Sequence, residues 1–337
     1  MSCLTVFLVL RLCGAMRSRS SRRRHYLTCA DLHSPSLPSA WDTLRQSGSV
    51  KGFIDTFGVS PRSFQYLCDR MKSFVCPPRQ ARYTVADVLA IALHFLNSRI
   101  EQRNLCFIYA RAPSTLNDYL QIGLEGLANV MQNEPLARIQ WPSRSRMKKY
   151  SQIITRRHPT LQNVFGFVDG VFFKVANSSD PFVQNAYYNG WKSCCAVSNV
   201  IVFGPDGTIL HARINAPGSW HDSAIAEKLY DLLENKTPSP FKIVGDSAFV
   251  HNDKLMAVGK SRSFIANEEA LTSLRQAAEW GMLGVQTKFP RLNCMDKLAF
   301  NPAYYRNVLA LCFQLYNYKT RTENLNQIKT VYCGRAA

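Results

Sequence analysis

The chain has 337 residues, 46% of them hydrophobic, which is long enough for one large domain or two ordinary ones with a buried core. Lysine and arginine total 41 against 23 aspartate and glutamate residues, and the formal net charge of +18 predicts a polyanionic partner, most simply nucleic acid. A basic surface facing solvent or an anionic membrane surface is the alternative. No stretch approaches the roughly 20 apolar residues of a membrane span, so we expect no membrane partner.

The eleven cysteines contain no C-x-x-C pair, which argues against a zinc finger or ribbon. Cys68 and Cys312 stand in apolar surroundings and are interpreted as reduced core residues of an intracellular protein. The apolar run from Leu4 to Leu10 is followed rather than preceded by positive charges, the reverse of a signal peptide. Secretion is therefore not expected.

Residues 1–45 are predicted to form a basic tail and linker. The run Arg17–Arg24 is rich in arginine and serine, which is typical of a nuclear import signal or a nucleic-acid-binding arm, and a nuclear location is the prediction. A solvated tail without either role is the alternative. Prolines and serines from His33 to Ser39 indicate a linker.

Residues 46–150 have a helical pattern and are predicted to form a DNA-binding domain. Ser60-Pro61 is a helix start, and Thr84 with Asp87 resembles a capping box. A short helix over Gln102–Tyr109, a turn at residues 110–113 and a helix capped by Ser114 or Thr115 outline a helix-turn-helix. Plain packing of a helical bundle explains the same pattern, and the sequence leaves both open.

Six cations follow within fourteen residues, a density that suits contacts to phosphates. A basic, soluble linker is the alternative. The predicted DNA-binding residues of this segment are Arg144, Arg146, Lys148, Lys149, Arg156 and Arg157.

A strand from Val164 to Val175 would hold one carboxylate, Asp169, at its middle, followed by a glycine. A tight Asp-Gly hairpin turn is the alternative. Residues 194–203 and 208–214 also have strand patterns and short connections, which predicts an antiparallel meander. The loop before them is aromatic and basic around Lys192, which would suit stacking on bases as well as plain surface packing.

Three further acids lie on or next to predicted elements. Asp222 begins a helical pattern, where it is either a ligand or a helix N-cap. Asp246 follows an apolar strand, and Glu279 lies on a helix predicted to begin at Asn267, with Arg275 one turn away as a salt-bridge alternative. Two strand carboxylates and one helix carboxylate in a β-β-β-α-β-α order predict an α/β fold. It is an RNase H-like mixed sheet flanked by helices over residues 160–326, preceded by the all-helical, helix-turn-helix-like domain.

Four motifs in this order resemble the DDE transposases of the PIF/Harbinger family and their domesticated nuclease relatives. They are VFGFVDG, PGSWHDS, IVGDSAF and RQAAEWGMLGVQTKFPRL. The resemblance implies that Asp169, Asp246 and Glu279 form a catalytic, metal-binding triad with Asp222 as a fourth ligand. It also implies two Mg²⁺ or Mn²⁺ ions, which take oxygen ligands and support in-line attack of water or a 3′-hydroxyl on a phosphodiester.

The sequence departs from the family pattern after the glutamate. Gln286 stands where relatives commonly have a lysine, and the nearest lysine is Lys288, which we include with Lys192 among the candidate DNA-binding residues. Glu268 and Glu269 are nearby acids, but Glu279 fits the R-x-x-x-E spacing better. A last helix is predicted from Pro302 to Asn326, with Asn317 and Lys319 exposed.

The predicted function is therefore a nuclear, metal-dependent endonuclease or transposase acting on DNA. The alternatives are a domesticated DNA-binding or scaffold protein that cuts nothing, and a metal-dependent phosphoesterase for small molecules. The resemblance further implies a separate Myb-like DNA-binding partner. The sequence leaves open whether the chain forms a homo-oligomer.

Overall fold

The computed structural model describes residues 32, 37–76, 83–257 and 268–334. The chain divides into two compact units, residues 1–134 and 135–337. The division therefore falls before the basic segment that the sequence pattern grouped with the helical domain. The basic run Arg17–Arg24 and the predicted N-cap Asn267 lie outside the described residues.

The first unit is helical throughout its described part. Its helices are α1 (Ala40–Ser47), α2 (Val50–Phe57), α3 (Pro61–Met71), α4 (Val85–Asn97), α5 (Gln102–Tyr109) and α6 (Pro113–Asn133). The Ser60 side chain caps α3, and Thr84 and Asp87 form the capping box of α4, as the sequence predicts. The N-cap of α6 is Ala112, with Pro113 as the first helical residue, so the caps predicted at Ser114 or Thr115 are wrong.

Aromatic side chains form the core of the first unit at one end. Trp41 packs against Phe53, Phe57 and Phe64, and its indole N–H donates to Asp87 Oδ1 over 2.9 Å. Helices α5 and α6 are joined by a short turn in which Ala110 has a φ of 49°. Helix α6 has no lysine or arginine, and most of its apolar side chains are buried, which favours a packing role for it over a DNA-facing one.

The second unit contains a mixed sheet. Its strands are β1 (Val164–Lys174), β2 (Tyr188–Asn189), β3 (Cys194–Phe203), β4 (Ile209–Pro217), β5 (Lys242–Gly245) and β6 (Leu255–Ala257). Strand β1 pairs with β3 on one side and with β5 on the other, β4 pairs with β3, and β6 pairs with β5. Strand β3 is antiparallel to β1 and β4, whereas β5 and β6 continue parallel to β1. This is the RNase H-like arrangement, and the predicted meander is confirmed.

Helices cover both faces of this sheet. They are α7 (Arg144–Arg157), α8 (Pro181–Tyr187), α9 (Asp222–Ile225), α10 (Glu227–Lys236), α11 (Glu268–Lys288), α12 (Pro302–Thr322) and α13 (Gln327–Cys333), with a 3₁₀ segment at Pro290–Lys297. Met147 and Tyr150 of α7 and Leu229 of α10 share one core cluster with Val168 and Val200 of the sheet. On the other face, Gly281 of α11 lies against the ring of Phe203. The contact is so close that a Cβ atom at position 281 would overlap the ring.

Helix α12 differs from the sequence prediction in its polar residues. Asn317 and Lys319 are buried, with 0% and 3% of their surface exposed, so the expectation that they face solvent is wrong. The Asn317 side chain bonds to the backbone of Ile209 in β4 as a neighbouring strand would. It accepts the Ile209 N–H over 2.7 Å and donates to the Ile209 and Arg138 carbonyls. The Lys319 ammonium lies 4.6 Å from the centre of the Phe289 ring.

None of the helices in the described ranges combines the length and the apolar character needed to cross a bilayer.

Candidate active site

Two acidic residues are positioned by neighbouring parallel strands: Asp169 lies on β1, and Asp246 directly follows β5. Asp169 is in the middle of β1, and Phe167 of that strand pairs with Val244 of β5. Two residues further along each strand are Asp169 and Asp246, so the register puts these two acids side by side. Because both stand at the same position of the two-residue alternation, their side chains point to the same face of the sheet.

Asp222 lies near Asp169 but over the next residue of β1, Gly170, whose Cβ direction is on the opposite face of the sheet. Its carboxylate lies directly over Gly170: a Cβ atom at that glycine would stand 2.6 Å from Asp222 Oδ2. Any larger residue at position 170 would therefore displace Asp222. Asp222 is the first residue of α9, whose N-cap is His221, so the alternative of Asp222 as the N-cap is wrong.

Glu279 comes from α11 on the same face as Asp169. It lines a cleft of about 560 Å³ together with Asp169. Its carboxylate also pairs with Arg275 one turn earlier, with 3.5 Å between Arg275 Nε and Glu279 Oε1. The carboxylate cleft is lined by Asp169, Gly170, Val171, Phe172, Phe173, Lys174, Glu279, Met282, Leu283, Gln286 and Asn293.

The electrostatics of Asp169 indicate that the four acids influence one another. Burial raises the pKa of Asp169 to about 6, and the charges of Asp246, Asp222 and Glu279 act in the same direction. The Gly170 N–H, which donates to Asp169 Oδ1 over 2.8 Å, opposes this shift. Burial and the charge of Asp246 also raise the pKa of Asp222, while His221 lowers it. Negative charge is thus concentrated where burial already disfavours it.

The donor set fits a hard divalent cation in its chemistry, since all four side chains are carboxylates. Within the ranges that the structure describes, no three Asp, Glu, His or Cys side chains lie close enough together to hold a metal ion. The acids are therefore near neighbours, within electrostatic range of Asp169, that have not converged on one point. A cation between them would offset both the burial and the neighbouring negative charges that raise the pKa of Asp169.

Three polar residues of the cleft, Lys174, Gln286 and Asn293, were not predicted as site residues. Gln286 was noted only as a departure from the family pattern, and the structure places it in the cleft lining. Asn293 belongs to the 3₁₀ segment, and nothing in its sequence context marks it.

Lys192 and Lys288 differ in their access to the cleft. Lys192 is exposed, and its ammonium lies 5.1 Å from the centre of the Phe172 ring, which lines the cleft. Trp191 beside it is 91% exposed. The Lys288 ammonium is instead buried, 4.6 Å from the centre of the Tyr316 ring, and has no hydrogen-bond partner in the described part of the chain. This position does not favour a contact between Lys288 and DNA.

The six cations of α7 point in different directions. Arg146 pairs with Asp206 over 3.1 Å and donates to Tyr150 Oη over 2.7 Å. Arg157 lies over the ring of Tyr332, with 5.6 Å between its guanidinium carbon and the ring centre. Lys149 is exposed. The other three, Arg144, Lys148 and Arg156, line a separate groove.

Residues 168–317 match the family model described as DDE superfamily endonuclease. This match covers somewhat less than half of the chain and contains all four candidate acids, Asp169, Asp222, Asp246 and Glu279. No curated protein matches the chain.

Two solved structures are similar at low identity. One is the Mos1 transposase paired-end complex with left transposon end, at 11% identity, covering 86% of this chain and 99% of that chain with a TM-score of 0.22. The other is the Mos1 mariner paired end complex with Mn, at 10% identity, covering 96% and 99% with a TM-score of 0.19. At these TM-scores the similarities carry no argument about function.

Proposed function

We propose that the second unit is a metal-dependent DDE endonuclease or transposase that cleaves DNA phosphodiester bonds. The observation that carries the proposal is that Asp169 and Glu279 line one cleft of an RNase H-like sheet, while the charges of Asp246 and Asp222 act on Asp169 from two further elements. The match of residues 168–317 to the DDE superfamily endonucleases supports the same assignment. The more specific PIF/Harbinger type rests on the four sequence motifs.

In this proposal the four acids would together hold two divalent cations, either Mg²⁺ or Mn²⁺. Such cations activate the attacking water or 3′-hydroxyl and stabilise the leaving oxygen of an in-line displacement. Asp169 and Asp246 are the central ligands, because the strand register fixes them relative to each other. Asp222 is positioned by the space above Gly170, and Glu279 completes the set from α11 once it separates from Arg275.

The exposed side of the cleft suits a DNA strand. Gln286 and Asn293 offer amide groups to a phosphate or sugar, and Lys192 at the rim offers a cation. A nuclear location, recruitment by a separate Myb-like DNA-binding protein and assembly into a homo-oligomer remain predictions from the sequence.

A nuclease assay on plasmid and terminal-repeat DNA with Mg²⁺ or Mn²⁺ tests this proposal. We expect cleavage by the native chain and a loss of at least about 10²-fold for Asp169→Asn or Asp246→Asn, since each removes a charge that the reaction requires. Asp231→Asn removes the same charge from the exposed surface of α10 and should cut normally. Equal activity of Asp169→Asn and the native chain would contradict the proposal.

A DNA-binding or scaffold protein that cuts nothing is the second candidate. It is favoured by the separation of the acids, of which no three in the described ranges are close enough to hold an ion. Isothermal titration with Mn²⁺ separates the two functions. The nuclease should bind Mn²⁺ with loss of binding in Asp169→Asn, whereas a scaffold has no requirement for this ion.

A further inference from the structure

A groove along α7 is larger than the carboxylate cleft. Its volume is about 1130 Å³, compared with about 560 Å³ for the cleft. We call it the α7 groove. It is lined by Arg144, Ser145, Lys148, Ser151, Gln152, Thr155, Arg156, Gln162, Asn163, Pro240 and Phe241.

The charge of the α7 groove is positive and uncompensated. No acidic residue is among those that line it. Arg144, Lys148 and Arg156 are exposed, and none of them forms an ion pair with another described residue. Arg146 of the same helix shows the contrast, since its guanidinium is neutralised by Asp206. The three groove cations are therefore available to an external anion.

The α7 groove and the carboxylate cleft lie at different ends of the same two strands. Asn163 immediately precedes β1, and Phe241 immediately precedes β5. Because β1 and β5 are parallel, the groove lies at their amino-terminal edge, whereas the cleft begins at Asp169 in the middle of β1. At about 3.3 Å per residue, the path along β1 from Asn163 to Asp169 is about 20 Å.

We propose that the α7 groove binds backbone phosphates of duplex DNA away from the bond that is cut. The proposal rests on the proposed function only in taking DNA as the ligand. From Arg144 to Arg156 the helix rises about 18 Å, enough for its three cations to reach separate phosphates. Gln152 and Ser145 add neutral hydrogen-bond donors of the kind that contact phosphate oxygens. None of these groups distinguishes bases, so the groove contributes affinity and not sequence preference.

The chain offers a matched pair of double variants to test the α7 groove. Lys148→Gln with Arg156→Gln removes two groove cations. Lys149→Gln with Arg157→Gln removes the same two residue types at the next position each, outside the groove lining. Both variants lose the same net charge from the same helix. Each is made in the full chain carrying Asp169→Asn, so that DNA is bound without being cut.

Binding of a short fluorescent duplex is measured by anisotropy across about 50 to 200 mM salt. The groove variant should reduce the slope of log affinity against log salt by about 2 and weaken binding about tenfold or more at the lower salt. The control variant with Lys149→Gln and Arg157→Gln should change the salt slope and the affinity by less than half as much. Lys148→Arg with Arg156→Lys should keep the native slope, because both cations are retained.

Equal effects of the two double variants would overturn the proposal, and so would a parent chain that binds no duplex DNA. The cleavage assay separates this result from the proposed function. Salt-dependent DNA binding by the groove without any cleavage would support the groove proposal and contradict the proposed nuclease function.

Discussion

At the scale of single residues, Asp169 is a destabilising charge in the metal-free chain. Its pKa of about 6 in the folded chain, against 3.8 for an ordinary aspartate, means that folding disfavours the ionised form. The cost is fully present above pH 6 and disappears as the pH falls below 3.8. Asp169→Asn should therefore raise the free energy of unfolding by about 1–3 kcal/mol at neutral pH.

Urea unfolding in EDTA from pH 7 to pH 4 measures this gain, which should fade over the acidic part of the range. Asp231→Asn, at an exposed position of α10, is the control and should change little. Saturating Mn²⁺ should then stabilise the native chain and not Asp169→Asn, because binding to the folded state alone adds stability. If Asp169→Asn unfolded more easily than the native chain in EDTA, the claim that the Asp169 charge destabilises the metal-free chain would be wrong.

Lys288 is the second residue whose charge opposes folding. Burial lowers its pKa to about 8 from 10.5, and its ammonium has no hydrogen-bond partner in the described ranges. The cost of this charge is fully present below pH 8 and disappears above 10.5, where the lysine is neutral in both states. The cation–π contact with Tyr316 recovers part of it.

Lys288→Met should stabilise the chain by about 1–2 kcal/mol at neutral pH, because it keeps the apolar stem and removes the buried charge. Chemical unfolding at pH 7 and pH 10 should show a smaller gain at the higher pH. Lys297→Met, at an exposed position, serves as the control. A loss of stability at pH 7 would instead mean that the ring contact exceeds the cost of burial.

At the scale of elements, the sequence predicts those whose ends carry local signals. Helix α5 and strand β3 have the predicted bounds, and α4 begins at its predicted capping box. Helix α8 was missed inside a predicted loop, although Asp180 before Pro181 is a start signal: the Asp180 side chain accepts the Phe182 N–H over 2.9 Å.

The site is predictable in part for the same reason. Asp169 and Asp246 follow from strand patterns, since parallel strands fix their relative position. The contact of Asp222 with Gly170 depends on the path of the loop between β4 and α9, which no local pattern specifies. Lys319 and Asn317 were predicted on the wrong side of α12, because the helix is covered all round and its polar atoms find tertiary partners.

Helix α11 gives a prediction of its own, because Glu279 has two competing partners. Its ion pair with Arg275 is about half exposed on both sides, and such pairs contribute roughly 0.2–1 kcal/mol. If Glu279 is a metal ligand, Arg275→Gln should tighten Mn²⁺ binding by up to about fivefold by removing this competitor. Isothermal titration measures the change. In a chain that already carries Glu279→Gln, Arg275→Gln should have no effect on Mn²⁺ affinity, and an equal effect in both backgrounds would exclude competition for Glu279.

At the scale of the whole molecule, the second unit separates its charges along the strands. The acids collect beyond the carboxyl end of β5 and the uncompensated cations of α7 beside its amino end. In the proposed function, DNA phosphates are attracted at one edge and repelled at the other unless cations neutralise the acids. The proposal therefore predicts that metal binding strengthens DNA binding.

The second unit can also be tested for where it begins along the chain. The sequence pattern starts the nuclease domain at residue 160, whereas the compact unit begins at residue 135 and includes α7. A fragment of residues 160–337 would lose Met147, Tyr150 and Ile154, each at most 3% exposed, and the first two belong to the core cluster under the sheet. Each large buried side chain contributes about 2–5 kcal/mol, so the sum approaches the whole stability of a typical domain, about 5–15 kcal/mol. We therefore expect residues 135–337 to give a cooperative thermal transition by circular dichroism, raised by Mn²⁺, and residues 160–337 to give none. A folded shorter fragment would show that α7 is an accessory to the sheet and not part of its core.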